Sequence, residues 1–192
     1  YGGHHAVAVA GEAASEVVGD WEALKAEGNR RYVADDFEGA IAKYGEAIAV
    51  FEAGVGDEPE EQEQRSKLAI LCTNRAAATL QIVRRMRERE RCKPGAALPP
   101  DMRRLCMRAN IDASRGVELD PDNAKAWLRK GQASLWMSAM QQRAKDAVRC
   151  FEVAQASRSL PASMRNEAEQ WLKIARKMLD DQTDMPENCP QM

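Results

Sequence analysis

The chain has 192 residues, of which 44% are apolar, 30% charged and 5% aromatic, with a formal net charge of −2. That length supports one domain with a sizeable core, and the near-neutral charge gives no sign of nucleic-acid binding by the chain as a whole. No apolar run approaches the roughly 20 residues needed to span a membrane, and abundant Ala with few aromatics favours closely packed helices over a sheet-based core.

Residues 1–19 are small and aperiodic and are expected to form a disordered lead, with His4 and His5 in its Gly-rich start set aside as native or added residues. The chain begins at Tyr1 rather than Met, which reads as a piece of something longer. Helical periodicity starts at Asp20, a cap for a helix from Trp21 to about Ala34. After Asp35–Asp36, a second helix is predicted from Phe37 to about Glu52, with Ala40, Ile41, Tyr44, Ala47 and Ile48 on one face. The acidic run Asp57–Glu63, carrying Pro59, is a loop or the acidic first turn of the next helix. A long third helix runs from near Gln64 to about Arg91, and Lys93–Pro100 is a linker. Four more helices follow: Asp101 to about Leu119, Ala124 to about Ser138, Gln142 to about Ser157, and Ala162 to about Asp180. The tail 181–192 is polar, with Pro186 and Pro190, and is expected to fray.

Seven predicted helices without a strand make an all-α fold, and the helices pair into units that repeat. In the first pair, Phe37, Ala40, Tyr44 and Ala47 lie 9, 12, 16 and 19 residues after Gly28. In the second, Ala109 and Ala113 precede Gly116 and the run Val-Glu-Leu-Asp-Pro at 117–121. In the third, Gly131 is followed by Ala147, Phe151 and Ala154, again spaced 4 and 3. Gly and Ala let antiparallel helices approach closely, while Tyr44 and Phe151 plug the groove between them.

Five cysteines, Cys72, Cys92, Cys106, Cys150 and Cys189, are odd in number and lack a Cys-x-x-Cys spacing. Reduced thiols in a cytoplasm fit better than a disulfide framework or a zinc site. With no other His, triads and most zinc chemistry are disfavoured. The adjacent carboxylates Asp35–Asp36 do not face each other across a cleft, and no Gly-rich phosphate loop follows a strand. No catalytic residue, cofactor or metal is expected within this chain; a catalytic domain elsewhere in a longer protein stays open.

The segment LKAEGNRRYVADDFEGAIAKYGEAI (24–48) resembles the first repeat of the tetratricopeptide-repeat (TPR) domains of heat-shock co-chaperones. TNRAAA (73–78) is similar to the start of their second repeat, and VELDPDNAKAWLRKGQA (117–133) spans the end of the second and start of the third. The resemblance covers roughly 21–160, with repeats at about 21–54, 64–121 and 123–158 and a capping helix at 162–180, within a single domain over 20–180. It implies three helix pairs and a capping helix in a right-handed superhelix, an α-solenoid, with the first helix of each pair lining the concave face.

That class carries a carboxylate clamp, and the matching positions here are Lys25 and Asn29, Asn74, and Lys125 and Arg129. Residues four apart share a helix face, so each pair projects together. Three cations supply charge to a peptide's terminal Asp, with its two carboxylates, and the two amides donate without adding repulsion. By resemblance, the ligand is the Glu-Glu-Val-Asp terminus of the seventy- or ninety-kilodalton heat-shock chaperones. Tyr32, Ala77 and Gln132, one turn beyond, are weaker groove-wall positions.

The second repeat departs from the pattern. Asn74 and Ala109 are 35 apart, where a plain repeat of about 34 residues would place them about 14 apart, so about 21 are inserted. The insertion lengthens the third helix through RRMRERERCK (84–93). A solvated, protruding helix end is the plain reading. The other is a scaffold for a different protein ligand, with 84–93 as a second interaction surface for an acidic protein or RNA, although no aromatic interleaves the run to stack bases. The third repeat carries about four extra residues around Trp136–Gln142, where Met137 and Met140 suit core packing. The acidic stretch Ala53–Glu63 is similar to large immunophilins, while TNRAAA is closer to adaptor co-chaperones and the TPR phosphatase.

Overall fold

The computed structural model of the chain describes residues 8–55, 60–92, 98–137 and 141–183. Among them are seven α-helices and no strand: α1 (Ala8–Val33), α2 (Phe37–Val55), α3 (Gln62–Arg89), α4 (Pro100–Leu119), α5 (Ala124–Trp136), α6 (Gln141–Ala156) and α7 (Ala162–Thr183).

The largest departure from expectation is at the start. Residues 8–19 are helical and continuous with α1, not a disordered lead, and Asp20 lies inside the helix instead of capping it. Ala8, Ala10, Ala13, Ala14, Glu12 and Glu16 are strong helix formers, and continuity with the packed segment from Trp21 carries the helix through the Val and Gly residues between them. At the other end α7 runs to Thr183, past the expected stop at 180. Residues 1–7, the rest of the polar tail and Met140 lie outside the described residues.

Local chemistry sets the helix ends. α1 stops at Asp35, which takes φ 64°, a left-handed conformation that Asp tolerates. The backbone N–H groups of Asp35 and Asp36 donate to the carbonyls of Tyr32 and Arg31 at 3.1 and 3.0 Å, closing the last turn. Asp36 then caps α2, its Oδ1 accepting from the Gly39 N–H at 2.9 Å. Pro100 occupies the first turn of α4, where its missing N–H costs nothing. Asn123 caps α5 by accepting from the Ala126 N–H at 3.1 Å.

Each helix packs on its neighbours in sequence, and α5 also touches α3 and α7, so odd-numbered helices adjoin along one side of the stack. Close approach is set by missing side chains. A Cβ on Gly28 would meet the Tyr44 ring at 2.7 Å, one on Gly131 would meet the Phe151 ring at 2.6 Å, and one on Gly116 would meet the Thr73 hydroxyl at 2.8 Å. Tyr44 and Phe151 are buried, plugging the first and third pairs as the spacing predicts.

Ion pairs tie the pairs together. Arg75 on α3 grips Asp112 on α4 through two bonds, Nε–Oδ2 at 2.8 Å and Nη2–Oδ1 at 2.7 Å. Arg65 on α3 donates to the carbonyls of Glu118 and Leu119 at the end of α4. Arg115 pairs with Glu52 on α2 at 2.6 Å.

The second-repeat insertion builds a small core of its own. Val83, Leu98, Met102 and Cys106 are buried together, with Met86, Trp136 and Met137 packed against them. The end of the lengthened α3 is solvated over most of 84–91, as the charge run predicts, with Arg84, Arg85 and Glu88–Arg91 exposed, while Met86 and Cys92 tie it to the cluster formed with α4 and the end of α5.

Candidate functional site

The two amides expected in the clamp meet across α1 and α3. The Asn29 carbonyl oxygen accepts from Asn74 Nδ2 at 3.4 Å and from the Tyr44 hydroxyl at 2.8 Å. Burial pushes the Tyr44 phenol up to about 12, so it stays protonated and donating. Both bonds fall on the Asn29 oxygen, which leaves its Nδ2 group as the donor end of the side chain. Tyr44 thus serves as core plug and as the residue that orients Asn29; its spacing revealed only the first role.

The cations are placed differently from one another. Lys25, one turn before Asn29, is half-buried with its ammonium 4.8 Å from the centre of the buried Trp21 ring. Lys125 is exposed in the first turn of α5. Arg129, one turn further on, has a side chain only 12% exposed and an ion pair at 2.9 Å with Glu167 of α7. Its Nη1 also donates to Gln132 Oε1 at 2.8 Å, and Gln132 Nε2 donates to Glu167 at 2.8 Å, closing a triangle. Among the described residues no direct bond joins Lys25, Lys125 or Arg129 to the two amides.

The weaker wall positions fare unevenly. Tyr32 is half-buried and its hydroxyl accepts from Gln81 Nε2 at 3.2 Å. Ala77 is half-buried on α3. Gln132 is buried and committed to Arg129 and Glu167, so it orders the Arg rather than forming free wall. Glu167 was not visible from sequence: it lies on the capping helix, outside the repeats, and no spacing marks it.

Among the described residues no cluster of His, Cys, Asp or Glu could hold a metal ion, and no helix is long and apolar enough to cross a membrane. Burial raises the thiols of Cys72 and Cys150 to about 11 and that of Cys106 to about 12, so these are inert, protonated core residues.

No protein-family model matches the chain. Solved structures do. The TPR domain of Arabidopsis OM64 superposes with a TM-score of 0.55 at 23% identity, covering 84% of this chain and 98% of that one. The TPR2B domain of yeast Sti1, solved in complex with pHsp70, gives a TM-score of 0.54 at 19% identity, covering 82% and 97%. The Sgt2 TPR domain from Aspergillus fumigatus gives 0.56 at 18% identity, covering 90% and 87%. The helix pairs, their glycine–aromatic contacts and these superpositions lead to one conclusion: the chain has the tetratricopeptide-repeat fold, an all-α solenoid.

Proposed function

We propose that this chain is a protein-interaction module, not an enzyme, that binds the acidic Glu-Glu-Val-Asp C-terminus of seventy- or ninety-kilodalton heat-shock chaperones. The observation that carries the reading is the Asn29–Asn74 contact, which joins two amides from separate repeats at one point. Lys25 stands one turn from Asn29 on α1, and Lys125 and Arg129 share a face of α5. Together they offer donors and positive charge of the kind that a side-chain carboxylate and a terminal carboxylate require. The fold shared with a Sti1 domain solved with pHsp70 supports the choice of ligand. A cytoplasmic setting fits the buried, unpaired Cys72, Cys106 and Cys150.

Alanine substitution tests the assignment. With a Glu-Glu-Val-Asp peptide in calorimetric titration, Arg129→Ala should cost about 2–5 kcal/mol of binding. The exposed Lys125 should cost less, about 1 kcal/mol, and Lys25→Ala should fall between. Circular dichroism of each variant must match the parent. Unchanged affinity in all three sinks the clamp.

A further inference from the structure

The insertion that lengthens α3 also builds a cavity of about 810 Å³ between the end of α3, the end of α5 and the outer half of α7. Its size suits a ligand-binding cleft, and none of the clamp residues lines it. Trp136, Trp171 and Ile174 supply an apolar floor, while Arg84, Arg87 and Arg91 stand on the α3 side. The two tryptophans pack edge to face at 5.8 Å, and Trp171 stacks on the core ring of Phe151, which fixes the floor. Ile174 is 42% exposed, an apolar surface left to solvent at the mouth.

Charge sorts the possible occupants. Three arginines face two glutamates, Glu88 and Glu167. Arg84 holds Glu88 at 2.9 Å, and Glu167 is already held by Arg129 from outside the cavity. Arg87 lies 5.9 Å from the Trp136 ring centre, so a guanidinium stands directly beside the apolar floor. The rim is therefore net positive over a hydrophobic base.

Backbone geometry adds an independent sign. Arg91, the residue after the Glu90 cap of α3, takes φ 50° in the left-handed region. The Cys92 N–H donates to the Arg87 carbonyl at 3.0 Å and the Arg91 N–H to that of Glu88 at 3.3 Å, a pattern in which glycine is the favoured residue at this position. An arginine held in the unfavoured conformation projects its side chain to the cavity rim. Strain of this kind persists where the side chain has a task.

We propose that this cavity is a second binding site, lined by none of the clamp residues though it adjoins Arg129 through Glu167, for a partner segment with one large aliphatic side chain flanked by carboxylates. The aliphatic group sits on Trp136, Trp171 and Ile174, and the flanking carboxylates meet Arg84, Arg87 and Arg91. A nucleic acid is disfavoured because the tryptophans are packed by their edges and stacked in the core rather than presented as a platform for bases.

The test uses the whole chain and short peptides capped at both ends, which carry no terminal carboxylate for the clamp. One series has Leu, Ile or Met flanked by Glu; a matched series has Gln in place of Glu. Fluorescence of Trp136 and Trp171, with calorimetry, reads binding. The Glu series should bind and the Gln series should bind several-fold more weakly. Ile174→Asp should abolish binding, a loss of at least about tenfold. Arg91→Gly should weaken it about three- to fivefold while the thermal midpoint rises or stays unchanged, which separates lost recognition from lost folding. Lys25→Ala should leave it untouched, so the outcome is independent of the clamp. Failure of every Glu peptide to bind, equal binding of the Gln series, or parental binding by Ile174→Asp and Arg91→Gly overturns the proposal. So does a short RNA that binds and is lost in the same variants.

Discussion

Arg129 of α5 donates to Glu167 of the capping helix at 2.9 Å, so the most buried cation expected to hold a ligand is already paired within the chain. Glu167 occupies the role that a ligand carboxylate would take. An incoming carboxylate must share Arg129 with it or displace it. Glu167→Gln keeps the size and an acceptor oxygen but removes the charge. Affinity for a peptide ending in Asp should rise about three- to tenfold, by the usual worth of one removed competing charge. Weaker binding in titration would instead make Glu167 a residue that positions Arg129.

Glycine positions offer an internal control on the packing account. Gly28→Ala forces a methyl against the Tyr44 ring, where the gap is 2.7 Å, and Tyr44 is buried. Overpacking of this kind should cost about 1–3 kcal/mol in chemical denaturation. Gly45 has only Arg75 nearby, at 3.7 Å, and lies within α2. Gly45→Ala should stabilise by about 0.5–1 kcal/mol. Equal effects at the two sites would show that helix propensity, not close approach, governs both.

Asp112 is 7% exposed and takes both bonds of the Arg75 guanidinium. Removing the carboxylate leaves a partly buried cation without its partner. Asp112→Ala should lose about 2–3 kcal/mol, below the range for a fully buried pair because Arg75 keeps 28% of its side chain exposed. Urea unfolding at low and high salt reads this; a loss well under 1 kcal/mol would mean that water replaces Asp112 readily.

Alkali should weaken the fold. The thiols of Cys72 and Cys150, raised by burial from 9.0 to about 11, and that of Cys106, raised to about 12, ionise later in the folded chain than in the unfolded one. Tyr44, raised by burial from 10.0 to about 12, behaves likewise. The stability these groups contribute is whole below about pH 9 and is lost as pH rises toward 12, because the unfolded chain releases their protons first. Thermal midpoints measured from pH 7 to 11 should be level at first and then fall. A level profile throughout would show that the thiols are not desolvated.

How much the sequence disclosed follows from what each feature depends on. Gly28, Tyr44, Gly131 and Phe151 were legible as repeat positions because close helix approach demands the same residue types in each pair. The five residues proposed as a clamp stand out in the sequence because packing does not require polar residues at those matching points, and of them Asn29 and Asn74 meet directly. The start of α1 was not legible, since the Val and Gly residues among Ala8–Gly19 hide a helix that continuity with a packed segment sustains. Glu167 and the cavity were not, because both depend on how the capping helix lies against α5 and the lengthened α3, which no local spacing encodes. The arginine run was legible as charge, while its aromatic neighbours, Trp136 and Trp171, come from other helices.

The proposed ligand of Lys25, Asn29, Asn74, Lys125 and Arg129 is a free terminal carboxylate. Calorimetric titration with a peptide ending in Glu-Glu-Val-Asp, beside the same peptide amidated at its C-terminus, measures this directly. The free acid should bind saturably and more weakly with added salt, and amidation should cost at least about tenfold in affinity. No binding of the free acid, or equal binding of the two peptides, would contradict the proposal.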